Sequence, residues 1–291
     1  DGTPTYTEGA DSLNFSGFAA LTGGSAVDTF NVTADTSAIL NGGSGTIVDV
    51  FTIASGATLT GTIDGGEGAD SLTLGDASAN ATFTGSATDG YAGTTSQTGA
   101  FSNIRTLTGG GSGTLTGDDA TSTWTLGPSN TYSHGAFATA TYSGFSTLAG
   151  DAGMIDDTFV VAAGDFAAAI TIDGNLNTAA GDSLNLDAQG NTVTTTANTI
   201  TAGSTVITFS EIENMNVTNP AATLTVTGTN ANDTLTVKED GSGNVTYQLD
   251  TGPVIQVPGT TAIIFNSGDG DDNLVIDYSS TNGFFTNPIE Y

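Results

Sequence analysis

Apolar side chains recur at every second position in short runs along this chain. In Ser71-Leu72-Thr73-Leu74 two leucines alternate with two hydroxyl residues, the period of a strand with one buried face. Ala38-Ile39-Leu40, Phe51-Thr52-Ile53 and the stretch 57–63 repeat the theme in Thr, Ile, Val and Phe, residues that suit a pleated, half-buried surface. From Ala222 the alternation is cleaner, in Thr223-Leu224-Thr225-Val226, Val245-Thr246-Tyr247-Gln248-Leu249 and Ala262-Ile263-Ile264-Phe265. Asp240-Gly241 and Asp250-Thr251-Gly252 are hairpin-grade turns between such runs. Pro220 marks a change of texture, so the pattern predicts one part over 1–219 and another over 220–291. The best helix candidate, 165–169, is too short to stand alone, and the expected fold class is all-β.

A glycine-aspartate corner precedes many of the runs. It reads Gly9-Ala10-Asp11, Gly23-Gly24-Ser25-Ala26-Val27-Asp28, Gly42-Gly43 to Asp49, and Gly65-Gly66-Glu67-Gly68-Ala69-Asp70. Degenerate copies end on Asp157, Asp182 and Asp233, and a nearly intact one is Gly268-Asp269-Gly270-Asp271-Asp272. The aspartates at 11, 28, 49 and 70 are 17, 21 and 21 residues apart, one rung of a solenoid rather than the strand spacing of a sandwich. A second motif recurs as Phe15-Ser16-Gly17-Phe18, Phe101-Ser102-Asn103-Ile104, Tyr142-Ser143-Gly144-Phe145 and Phe209-Ser210-Glu211-Ile212. Together they predict a parallel β-helix or β-solenoid with a more hairpin-like C-terminal part. Residues 78–99, small and polar with Phe83 and Tyr91 as their only large apolar side chains, read as a longer excursion or a poorly packed pair of rungs.

Composition narrows the functional classes. The formal charge is −29, yet charged residues make up only 11%, so cations are missing rather than acids abundant. Arg105 and Lys238 are the only fixed cations among 291 residues. Without a basic patch the chain has nothing to displace counterions from phosphate, which excludes nucleic acid as a partner. No apolar run of 18 residues exists, so no membrane span is expected. The lack of cysteine removes disulfide and thiol chemistry and suits a secreted microbial protein. A start at Asp1 without a signal peptide is expected of a processed or excised chain.

The corner residues carry the candidate chemistry. Glycines at 66, 68, 268 and 270 can take φ > 0 and turn carbonyls toward one point, where a nearby carboxylate adds a charged oxygen. Ca²⁺ takes six to eight such oxygens. Asp269, Asp271 and Asp272 crowd three carboxylates into four residues, a repulsion that a bound cation relieves. The competing reading is that turn aspartates hydrogen-bond their own backbone without a metal.

Residues 65–73 and 267–275 resemble the haemolysin-type (repeats-in-toxin) calcium β-roll, and the recurring F-S-x-F and G-x-x-x-D-T-F elements look like the repetitive β-solenoid adhesins and surface proteins of bacteria. That resemblance implies Ca²⁺ ligands at Asp28, Asp49, Asp70, Asp157, Asp269, Asp271 and Asp272, with Gly66, Gly68, Gly268 and Gly270 shaping the loops.

The expectation is therefore an extracellular, cell-surface structural protein. It would be a calcium-stabilised subunit or segment of a filament, sheath, S-layer-like coat or giant adhesin. Its partners would be copies of itself stacked end to end, neighbouring segments of a longer chain, and surface glycans. The alternative is a secreted β-helix enzyme or glycan-binding module acting on polysaccharide. It would use Trp124 and Tyr132 with the acid pairs Asp118-Asp119 or Asp156-Asp157, while His134, close to them in sequence, reads as a solvated lone histidine. Against catalysis stand a lone histidine and the absence of a cysteine.

Overall fold

The computed structural model describes residues 5–8, 11–14, 17–151, 153–164, 169–239, 244–258, 261–277, 279 and 288–291. Every regular element among them is a β-strand. The chain divides into two units, Asp1–Ser122 with Ser129–Gly153, and Thr123–Pro128 with Met154–Tyr291. Pro220 falls inside the second.

The first unit is wound in coils that contribute one strand to each of two stacks. In one stack Asp28–Val32, Val50–Ile53, Ser71–Leu74, the start of Thr106–Thr116 and the start of Ala140–Ala149 follow one another in parallel. In the other, Ala20–Thr22, Ile39–Asn41, Leu59–Asp64 and Thr98–Ile104 do the same. Parallel pairing in strict register puts like on like. Phe30, Phe51, Leu72, Leu107 and Tyr142 form one inward row, all buried, and the rings of Phe30 and Phe51 stack 5.0 Å apart at 3°. Each such side chain contributes about 1.5–3 kcal/mol on full burial.

The outward positions form two further rows. One runs Thr29, Val50, Ser71, Thr106, Thr141, and the other Asn31, Thr52, Thr73, Thr108, Ser143.

The second unit repeats the plan. Ser122–Leu126, Thr158–Ala162, Ser183–Asp187, Asn214–Thr218 and Val254–Pro258 are successive parallel neighbours. Their inward row begins with Trp124 and Phe159, stacked at 5.8 Å and 14°. Further parallel pairs join Ile170–Asp173 to Thr205–Ser210 and Thr223–Thr227 to Ala262–Asn266.

Hairpins are not confined to the C-terminal part. The stretch 78–99, expected to be loose, is a hairpin of Ala81–Ala87 and Gly90–Thr95 that pairs onward to Thr98–Ile104. Phe83 and Tyr91 are fully buried there, 5.0 Å apart. Two aromatic rings supply the core that the small residues around them do not. A shorter version, Val193–Thr195 with Thr199–Ala202, pairs onward to Thr205–Ser210. The expected C-terminal hairpins are present as Thr234–Glu239, Asn244–Leu249 and Val254–Pro258, while Thr234–Glu239 also pairs in parallel with Asn273–Asp277. An antiparallel strand, Thr5–Glu8, occupies one edge of Asp28–Val32. The turn at Asp240-Gly241, residues 165–168 of the helix candidate, Gly9-Ala10, Phe15-Ser16 and 284–287 of the tail lie outside the described residues. Of the tail, Ile289–Glu290 pairs with Ala262–Asn266, and the Tyr291 ring sits 5.6 Å from Phe265.

Candidate functional site

Four of the predicted ligand aspartates, Asp28, Asp49, Asp70 and Asp157, point inward. Each stands two residues before a core side chain, as Asp28 does before Phe30 and Asp70 before Leu72, and a period of two places both on the same face. Asp28, Asp49, Asp70 and Asp157 are 1%, 4%, 0% and 1% exposed, so their carboxylates lie within the coil rather than on an outer acidic edge.

Buried carboxylates must be hydrogen-bonded or neutral, and these are joined into ladders. The Asp28 N–H donates to Asp49 Oδ1 at 2.7 Å, and the Asp49 N–H to Asp70 Oδ1 at 2.6 Å. In the second unit the Asp157 N–H donates to Asp182 Oδ1 at 2.5 Å, the Asp182 N–H to Glu213 Oε2 at 2.8 Å, and the Asp233 N–H to Asp272 Oδ1 at 3.0 Å. The corner glycine makes room for the carboxylate. A Cβ on Gly65 or on Gly174 would stand 2.6 Å from Oδ2 of Asp70 or Asp182, and nearer still to the carbonyl of Asn103 or Glu211.

The second carboxylate oxygen meets different fates. Asp28 Oδ2 accepts the Gly24 N–H at 2.6 Å, and Asp233 Oδ2 the Thr229 N–H at 2.7 Å. At Asp70 and Asp182 the corresponding Oδ2 is buried without a hydrogen-bond partner among the described residues. Burial pushes the Asp70 carboxyl up to about 6, against the lowering effect of the Asp49 N–H and helped by the charges of Asp49, Asp89 and Asp64. Burial likewise pushes Asp182 up to about 7, with Asp157, Glu213 and Asp156 as repelling neighbours. Asp49 is raised too, again chiefly by burial.

The loop glycines take the backbone expected of them. Gly66 and Gly68 have φ of 89° and 132°, and Gly268 and Gly270 have 92° and 130°, so one turn is built twice. Carbonyls of the preceding coil press against these glycines: a Cβ on Gly68 would meet Ile47 O at 2.6 Å, and one on Gly270 would meet Ala231 O at 2.5 Å. The Gly68 N–H donates to Asp89 Oδ2 at 2.6 Å, and Asp89 also pairs with Arg105. These bonds, the Gly68 N–H first, hold the Asp89 carboxyl below its usual range.

In residues 267–275 the three crowded carboxylates separate. Asp272 is spent on the ladder, while Asp269 and Asp271 are exposed. Among the described residues no group of three or more His, Cys, Asp or Glu side chains is gathered for a metal ion. For Ca²⁺ the donor sets divide in two. The inward carboxylates of Asp28, Asp49 and Asp70 do not fit, being buried and engaged with backbone N–H groups, and Asp157 is equally buried; of the predicted aspartates only Asp269 and Asp271 are exposed.

The residues of the polysaccharide alternative are core residues. Trp124 and Tyr132 are 0% exposed and present no ring to a sugar. His134, expected to be solvated, is buried against Asp118, its Nδ1 2.7 Å from Oδ1 and 2.6 Å from Oδ2. Tyr132 donates its hydroxyl to the same carboxylate, and the Asp118 N–H donates to Tyr132 Oη at 3.0 Å. The sequence offered Asp118 as one member of a candidate acid pair, and the fold instead sets its carboxylate against Tyr132 and His134. Asp118 and Asp157 are both buried, so neither acid pair turns two carboxylates toward solvent. A groove of about 590 Å³ in the second unit is lined by Glu211, Glu213, Asn214 and Gln248 among others, and its Glu213 is engaged with the Asp182 N–H.

No protein-family model matches the chain, nor does any curated protein or solved structure.

Proposed function

We propose that this chain is a structural repeat element, a β-solenoid subunit or segment of an extracellular filament, sheath, S-layer-like coat or giant adhesin that associates end to end with its own kind. The carboxylate ladder carries this reading. It spends on coil-to-coil bonding the side chains that a catalytic site would keep free, and it repeats in both units. The scarcity of basic residues supports an exposed location, because two fixed cations leave little for trypsin-like proteases to cut. Calcium adds stiffness from outside, held by Asp269 and Asp271 on the turn that Gly268 and Gly270 shape.

Electron microscopy of the purified protein, with melting curves in Ca²⁺ and in EDTA, tests the reading. Polymers or regular arrays are expected. Ca²⁺ at a hundredfold above its Kd should add about 2.7 kcal/mol, and Asp269→Asn with Asp271→Asn should abolish that gain. Monodisperse particles that release sugars from polysaccharide would overturn the proposal.

A further inference from the structure

The first unit carries a face on which five parallel strands align their outward side chains. The row through Thr52, Thr73 and Thr108 runs from Asn31 to Ser143, and beside it Ser71, Thr106 and Thr141 continue the row that begins at Thr29. Nine of these ten positions are Thr, Ser or Asn, Val50 being the exception, and none is charged. In a chain of net charge −29 these ten positions are neutral. The hydroxyls are also ordered along the rows. Thr106 Oγ1 lies 3.0 Å from Thr141 Oγ1, and Ser143 Oγ donates to Thr108 Oγ1 at 3.4 Å.

We infer that this face binds an extended, uncharged polysaccharide laid across the strands. Three features select that partner. The rank repeats once per strand, about 4.8 Å, close to the length of one sugar residue in an extended chain, so successive sugars meet equivalent donors and acceptors. None of the ten side chains is cationic to hold a polyanion, and none is acidic to hold a cationic ligand. A hydroxyl array also exchanges its bonds to water for bonds to sugar hydroxyls at little net gain apiece, so affinity has to come from many equivalent contacts, which a polymer supplies and a small molecule does not. The inference supplies a surface for the glycan partner and stands whether or not the chain polymerises.

Sedimentation with insoluble cellulose and chitin tests it. The native protein should be retained. The triple variant Thr52→Val, Thr73→Val, Thr108→Val keeps the outward shape but removes three central hydroxyls, and should bind at least ~10-fold more weakly with an unchanged melting transition. Should the triple variant fail to fold, Asn31→Ala with Ser143→Ala, at the two ends of the row, should weaken retention by a smaller factor. Absence of retention on both polymers, or retention that a folded triple variant leaves unaltered, overturns the inference. So does shaping of ice crystals without retention on either polymer, which would assign the face to ordered water.

Discussion

The corner at Asp28 and the corner at Asp70 have the same glycine, the same inward aspartate and places at either end of one ladder, yet one carboxylate is capped and the other is not. The difference lies one residue before the glycine. Thr22 precedes Gly23 and leaves the Gly24 N–H to Asp28. Asp64 precedes Gly65 and takes the Gly66 N–H for itself at 3.1 Å, so Asp70 Oδ2 has no donor. The second unit repeats the contrast. Thr227 precedes Gly228 where Asp233 is capped, whereas Asp173 takes the Asn175 N–H at 3.2 Å where Asp182 is not. A short polar side chain that bonds its own turn competes with the tertiary acceptor, and the loser is a buried carboxyl held near neutrality.

Substitutions at the corners break this comparison most strongly. Gly65→Ala drives a methyl into the Asn103 carbonyl and the Asp70 carboxylate and should cost about 3 kcal/mol or more. Gly24→Ala, with nothing within 4 Å of its Cβ position, should stay within about 0.5 kcal/mol. Urea melts of the two side by side measure the gap, and equal losses would refute the clash.

The pH dependence follows from the raised carboxyls. A group whose folded pKa lies above its unfolded value stabilises fully below the unfolded value and loses that contribution as pH rises through the folded one. For Asp70 the window runs from the ordinary 3.8 to about 6, and for Asp182 to about 7. A tenfold gain in proton affinity on folding is worth about 1.4 kcal/mol, so the two contributions have upper limits of about 3 and 4 kcal/mol. Native protein should therefore lose stability between pH 4 and 7, and Asp70→Asn with Asp182→Asn should flatten that slope. Asp89 and Asp156, whose carboxyls are lowered, act in the opposite sense on acidification and remain in both proteins, so the difference between them isolates the two raised groups.

Removing the ladder acceptor altogether is a smaller test. Asp70→Ala leaves the Asp49 N–H buried and unmade, at about 1–3 kcal/mol. Asp70→Asn keeps an acceptor for it and should approach or exceed native stability at pH 8. The finest change is Asp64→Thr, which returns the Gly66 N–H to Asp70. NMR titration should then find the Asp70 carboxyl lower than in the native protein, with a gain of up to about 1 kcal/mol at pH 8. An unmoved titration would sink the competition argument.

Much of this was visible in the residues. The alternation in Ser71-Leu72-Thr73-Leu74 gave the strand and its buried side, and the 21-residue spacing of Asp28, Asp49 and Asp70 gave the coil. The same alternation also implied that these aspartates face inward, since each lies two residues before a core side chain. The resemblance to calcium-binding turns implied instead that the same aspartates are metal ligands. What spacing could not show was pairing at long range. Asp118 meets His134 from another segment, Asp89 and Arg105 close over the Gly68 loop, and the 78–99 stretch packs because Phe83 and Tyr91 meet in a hairpin.

Local chemistry in this chain, meaning which residues turn, which extend and which side of a strand is apolar, is written in nearest neighbours and survives without the fold. Whether a carboxylate ends as ligand, ladder rung or unpartnered acid depends on the N–H groups and carbonyls that the adjoining coil brings to it. Those groups lie about twenty to forty residues away in sequence, and only winding the chain into register sets them within hydrogen-bonding distance.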